Sequence, residues 1–160
     1  MAAKHSGFTM IEVIATVIIL AILAAVIYAG LGFLDTELSA RAGLVRNQIR
    51  YAQLRAMKGG ALYGLRCQSN VYWLFAGDPS SEDDRVALPG EEGNTVSLAG
   101  TGVGMADFTL FFDANGRPYS SYTSSASNTP VSTALPLNIV LTKDAASLTL
   151  SVTPETGFVP

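Results

Sequence analysis

The chain has 160 residues, with Lys+Arg 10 against Asp+Glu 13 and a formal net charge of −3, room for one domain plus an anchor. That balance argues against a general nucleic-acid binder, which needs a basic surface, while leaving room for a local basic patch. The single cysteine, Cys67, excludes an intrachain disulfide. The single histidine, His5, lies near the N-terminus, so a His-based triad or a His-ligated metal site in the folded part is excluded.

Residues 1–7 are a short leader whose one positive side chain besides His5 is Lys4. One carboxylate, Glu12, then enters an otherwise apolar stretch, and from Val13 to Leu34 no residue is charged. As a helix this run would be about 33 Å long, enough for the roughly 30 Å hydrocarbon core of a bilayer. The expectation is a transmembrane helix rather than a removed secretory signal, whose apolar core is about 7–15 residues. After Asp35, apolar residues recur at Leu38, Ala42, Val45, Ile49, Ala52 and Ala56, one face of a helix, with Arg41, Arg46, Arg50 and Arg55 mostly off it. Gly59-Gly60 ends the pattern. The reading is one helix from Phe8 to about Lys58. Its first part, 8–34, is apolar all round, and its second, 35–60, is amphipathic. Gly30, Gly32 and Gly43 are weak points costing about 1 kcal/mol each relative to alanine. The amphipathic half is expected to cover a sheet made by the rest of the chain. The apolar half has no partner in the chain and is expected to rest in lipid or against similar helices.

Residues 61–160 change period. Val71–Gly77 and Asp107–Asp113 read as strands rich in aromatic and β-branched residues, the second followed by the turn signal Asn115-Gly116. Leu137–Thr142 and Ser147–Thr153 flank a short "KDAA" loop and predict a hairpin. In its second strand Leu148, Leu150 and Val152 alternate with Thr149, Ser151 and Thr153, one face buried and one wet. Weaker strands are expected at Leu62–Cys67, Arg85–Leu88 and Thr95–Leu98. One long helix before several strands predicts an α+β fold with an antiparallel sheet packed on the amphipathic half.

The loops offer little chemistry. Asp78, Glu82, Asp83 and Asp84 in "GDPSSEDDR" supply oxygen ligands of the kind Ca²⁺ takes, but not in the spacing of an ordered Ca²⁺ loop, and a solvated acidic turn is the preferred reading. Ser121–Ala134 is a Ser/Thr-rich stretch expected to be a surface loop. Arg66 beside Cys67 would lower the thiol pKa, against the preferred reading of a buried, inert cysteine. Trp73 reads as core or sheet surface. No catalytic constellation, cofactor motif or metal-ligand spacing stands out, so no enzyme activity is expected.

The stretch "SGFTMIEV" resembles the processing signal of type IV prepilins and type II secretion pseudopilins. Its parts are a short basic leader ending in Gly7, then Phe8, then Thr-x-x-Glu, then some twenty apolar residues. The resemblance implies that a membrane prepilin peptidase cuts between Gly7 and Phe8 and methylates the new amine of Phe8. A carboxylate deep in a membrane helix costs about 2.5–3.5 kcal/mol at the centre and less near an end. Glu12 would be neutralised by pairing with the Phe8 ammonium of a neighbouring subunit, a group whose ordinary pKa is about 7.7–8.0. In low dielectric such a pair sets the register between subunits. Further on, "RNQIRYAQLRAMKGGALYGLRC", "FFDANGRP" and "LTLSVTPETGFVP" resemble the GspH/FimT-like group of minor pseudopilins and minor pilins. Neither the helix-kinking proline nor the C-terminal cysteine pair of many major pilins is present, which separates the chain from those.

The resemblance implies a minor pseudopilin of a type II secretion system, anchored once in the bacterial inner membrane, with residues 61–160 in the periplasm. Its implied partners are other pseudopilins or pilins, the prepilin peptidase, the inner-membrane assembly platform and lipid. A minor pilin of a type IV pilus is the alternative, and a membrane-anchored periplasmic enzyme or binding protein is a third. Beyond Arg66 only Arg85, Arg117 and Lys143 are basic, so DNA binding is not expected.

Overall fold

In the computed structural model of the chain, the described residues are 9–31, 36–124 and 127–160, with side chains described to Val26 in the first helix. The chain divides into two compact units, 1–35 and 36–160.

In the first unit, helix α1 spans Met10–Leu31. The Thr9 carbonyl accepts hydrogen bonds from the Glu12 and Val13 N–H groups, at 3.1 and 3.3 Å, so Thr9 is the residue from which the helix starts. The Thr-x-x-Glu spacing therefore has the form of a capping box, with Glu12 in the first helical turn. A carboxylate there also complements the positive end of the helix dipole. The expected continuous helix from Phe8 to about Lys58 crosses residues 32–35, which lie outside the described residues, as does Phe8. What is described is α1 and, in the second unit, helix α2 over Thr36–Gly59.

Among the described residues, no helix is long and apolar enough to cross a membrane. The transmembrane expectation for residues 8–34 extends past Val26, beyond which side chains in this segment are not described.

Helix α2 buries the side of it that the spacing marked out. Leu38, Ala42, Val45, Ile49, Ala52 and Ala56 are all buried. They pack against one face of an antiparallel sheet, in one core cluster that includes Leu65, Cys67, Tyr72, Leu74, Leu110 and Phe112. Burial of each large aliphatic side chain contributes roughly 1.5–3 kcal/mol. The helix stops at Gly60, whose φ of 62° and N–H bond to the Ala56 carbonyl (3.0 Å) form a left-handed C-cap.

The remaining described residues form ten strands: β1 Tyr63–Gln68, β2 Val71–Ala76, β3 Arg85–Val86, β4 Val96–Ser97, β5 Val103–Met105, β6 Phe108–Phe112, β7 Pro118–Tyr122, β8 Asn128–Pro130, β9 Leu137–Lys143 and β10 Ala146–Val152. They make two sheets, both antiparallel throughout, where a single sheet was expected. The larger runs β3-β2-β1-β6-β7-β8, with β4 also paired to β2, and the smaller runs β10-β9-β5. Ser69 and Asn70, with φ of 53° and 62°, make the two-residue turn between β1 and β2. The Asn70 carbonyl accepts from the Leu98 N–H (2.9 Å), and its side-chain oxygen accepts from the Met105 N–H (2.9 Å). That turn thereby ties the two sheets together.

The predicted hairpin is β9–β10, with Lys143 opposite Ala146 and Leu141 opposite Leu148. The Ser/Thr-rich stretch is not wholly loop, because Asn128–Pro130 adds the edge strand β8 beside β7. Residues 125–126 between them lie outside the described residues.

The far face of the larger sheet carries an aromatic cluster of Trp73, Phe75 and Phe111, with Tyr119 and Tyr122 packed on it. Gly64 sits between Phe75 and Phe111 in the pairing register, and its missing side chain leaves the room that the two rings fill, with centroids 6.3 Å apart. A Cβ at Gly64 would collide with the Leu110 carbonyl and with Phe111.

Candidate functional site

The residues expected to carry function at the N-terminus fall into two groups. Gly7 and Phe8, the expected cut and methylation positions, lie outside the described residues. Glu12 is described, one turn into α1. It is exposed, and among the described residues its carboxylate has no hydrogen-bond or ion-pair partner. Around it the large side chains of α1 are uncovered on every side, from Met10 (83 % exposed) through Ile18 (55 %) to Val26 (66 %). An amphipathic helix hides its apolar residues on one stripe. This one hides none of the large apolar side chains described, the pattern of a helix suited to cover by lipid or by other proteins. A single acid on an all-apolar cylinder is suited to one specific charge pairing with a partner that also covers the hydrocarbon.

In unit 36–160 the residues singled out by the sequence are accounted for as follows. Cys67 is buried, and burial, with the Asp107 carboxylate adding to it, pushes its thiol up to about 11. The lowering by Arg66 does not occur. That guanidinium turns instead to the Ser80 hydroxyl (2.9 Å) and lies over the Trp73 ring. Trp73 is itself core, with Arg85 over the same ring at 4.6 Å and its indole N–H donating to the Pro79 carbonyl. In the acidic loop, Asp84 accepts from the Asp78 N–H (2.8 Å) and Asp78 from the Ser80 N–H (2.7 Å). Two of the four candidate Ca²⁺ ligands thus hold the loop's own backbone. Among the described residues, no group of three or more His, Cys, Asp or Glu could hold a metal ion.

One polar assembly escaped the sequence reading. Arg41 donates to Glu91 at 2.7 Å and to the Tyr72 hydroxyl at 3.4 Å, while Gln48, 1 % exposed, donates to the Pro89 carbonyl at 3.3 Å. Burial raises the Tyr72 pKa, opposed by Arg41. The group straps the loop of residues 88–93 to α2. Arg41 and Glu91 lie 50 residues apart, and no local pattern signals their meeting.

Comparison with known proteins bears on the N-terminus. No curated protein and no solved structure gives a significant match to the chain. Residues 2–28 match the family described as the prokaryotic N-terminal methylation motif. The match takes in Gly7, Phe8 and Glu12 together with most of α1, and this type IV pilin-like signal indicates the pilin and pseudopilin class of subunits, which a prepilin peptidase processes and which assemble with others of their kind.

Proposed function

We propose that the chain is a minor pseudopilin of a type II secretion system, a structural subunit without catalytic activity. The observation that carries the pilin-like part is the methylation motif over residues 2–28, joined to a helix whose described large apolar side chains are exposed and whose one acid, Glu12, has no partner among the described residues. In this reading the peptidase cuts after Gly7 and methylates Phe8. The uncharged run Val13–Leu34 holds the subunit in the inner membrane before assembly, and unit 36–160 stands in the periplasm. Glu12 meets the Phe8 ammonium of a neighbouring subunit as each subunit leaves the bilayer. The charge pair then offsets the cost of an acid in hydrocarbon and fixes axial register.

Residues 46–67, 111–118 and 148–160 resemble the GspH/FimT-like group, which holds minor pseudopilins and minor pilins, and of these we choose the secretion subunit. A minor pilin of a type IV pilus is the second reading, because the motif serves both machines. Deletion of the chain, scored together for exoprotein secretion, twitching and transformation, separates them. Loss of secretion alone is expected, and loss of twitching or transformation with normal secretion gives the pilus reading. Glu12→Ala should reproduce the deletion while leaving unit 36–160 folded. Normal assembly of that variant with its partners would remove the role given to Glu12.

A further inference from the structure

We propose that the outer edge of β10 is a docking site for an extended, uncharged segment of a different protein, which joins the smaller sheet as its fourth strand. The inference goes beyond the role of the N-terminal segment and stands on unit 36–160 alone.

An outermost strand presents unpaired N–H and C=O groups, and proteins blunt such edges by keeping the strand short or by adding proline, charge or a bulge. The other outermost strands of this fold follow that rule. Strands β3 and β4 have two residues each, β5 has three, and β8 has three and ends in Pro130. The Asn70 side chain also takes the Met105 N–H of β5, at 2.9 Å. Strand β10 does not follow it. It is outermost in the order β10-β9-β5, runs for seven residues and keeps an unbroken register with β9. Its sequence, ASLTLSV, has no charge and no proline, and Ser147, Thr149 and Ser151 are exposed.

The turn decides which backbone groups point outward. Asp144 and Ala145 form a two-residue turn closed by the pair Lys143–Ala146. Such a closing pair is hydrogen-bonded, and bonded and non-bonded pairs alternate from there. Leu148, Leu150 and Val152 therefore turn their N–H and C=O groups to β9, and Ser147, Thr149 and Ser151 turn theirs away. Thr153, next in the outward series, agrees with this. Its N–H donates to the Phe158 carbonyl (2.8 Å), and its carbonyl accepts from the Gly157 N–H (2.9 Å). The chain's own tail thus pairs with one end of this edge. Among the described residues, no other backbone bond outside the β9 ladder reaches residues 146–152.

The tail also selects the occupant. Two copies of β10 paired antiparallel about Thr149 would set Thr153 of one copy, with its bound tail, against the Asp144-Ala145 turn of the other. The tail fills the space that the turn needs. A segment of another protein carries no such tail and reaches Ser147–Ser151 unobstructed. Its side chains would lie beside Leu148 and Leu150 on one face and beside Ser147, Thr149 and Ser151 on the other. A charge next to the two leucines would be desolvated without a partner. The fitting segment therefore alternates apolar with small polar residues, its main chain supplying affinity and its alternation specificity.

The test is residue-resolved amide exchange of the full chain in detergent, alone and with the acetylated, amidated peptide Thr-Val-Thr-Val-Thr as probe. Alone, the Ser147, Thr149 and Ser151 N–H groups should exchange at least about tenfold faster than those of Leu148 and Leu150. Saturating peptide should slow those three about tenfold, and the same peptide N-methylated throughout should leave them unchanged. Thr149→Pro removes an outward N–H and no bond to β9, so it should keep the slow exchange of β9 and lose the response to peptide. The proposal is overturned by no protection with the peptide, by equal protection with its methylated form, or by a folded Thr149→Pro chain that still responds. Protection that grows with protein concentration in the absence of peptide overturns it too, since the occupant is then a second copy. If Thr149→Pro does not fold, the methylated peptide on the unaltered chain decides.

Discussion

Helices α1 and α2 are nearly equal in length, 22 and 24 residues, yet they solve opposite problems. Helix α2 places its apolar residues on one side and meets a sheet of its own chain with Val45, Ile49 and Ala52 at 0–1 % exposure. Helix α1 places them everywhere and leaves those described uncovered. The difference teaches that unit 36–160 has its own core, built on the buried stripe of α2, whereas the described side chains of α1 form none.

That division can be broken by substitutions in each part, read as unfolding of unit 36–160 in the full chain held in detergent. The largest effect is expected from Gly64→Val. The added carbons have no room between β1 and β6, and overpacking of this kind costs about 3 kcal/mol or more, enough to lose the folded unit at physiological temperature. A Gly64→Val protein with an unchanged thermal midpoint would contradict the packing of the aromatic face. Next comes the direct pair. Ile49→Ala should cost about 2–4 kcal/mol, because the site is closed on all sides, whereas Ile18→Ala, at a position 55 % exposed, should leave the midpoint where it was. Equal losses for both would abolish the distinction between the two helices.

A smaller effect is expected at the strap. Arg41→Gln breaks the pair with Glu91, whose side chains are 20 % and 21 % exposed. Partial screening limits the loss to about 1 kcal/mol, with faster amide exchange in residues 88–93 as its signature. The smallest is the alkaline response of Cys67. Burial pushes its folded pKa up to about 11 from the ordinary thiol value of 9.0, above that of the unfolded chain. The stability it contributes is whole below pH 9 and falls as pH rises from 9 to about 11, because the unfolded state loses the proton first. The thiol should resist alkylation at pH 8 and react on unfolding. Ready alkylation of the native chain would show Cys67 to be exposed.

Legibility followed the range of the interactions. The α2 stripe was readable because six positions repeat one angular period, and the β9–β10 hairpin because alternation and a short polar loop are both local. Strand β5, Val103–Met105, was missed because three residues are too few for alternation to register. The split into two sheets was missed for the same reason of range, since the smaller sheet is completed by β5 pairing with β9, far along the chain. Buried Gln48 defied its polarity because Pro89, 41 residues on, provides its hydrogen bond. The N-terminal motif was legible for a different reason. A peptidase and a neighbouring subunit read it as a linear signal, so its chemistry had to be written in consecutive residues.

The account turns on α1 being a processed assembly element rather than an incidental apolar tail. Mass spectrometry of the mature N-terminus, on chain recovered from cells that contain the prepilin peptidase, tests this most directly. The account predicts a chain that begins at Phe8 and is heavier by one methyl group on its amine. A chain still beginning at Met1 or Ala2, or cut beyond Glu12, would contradict it.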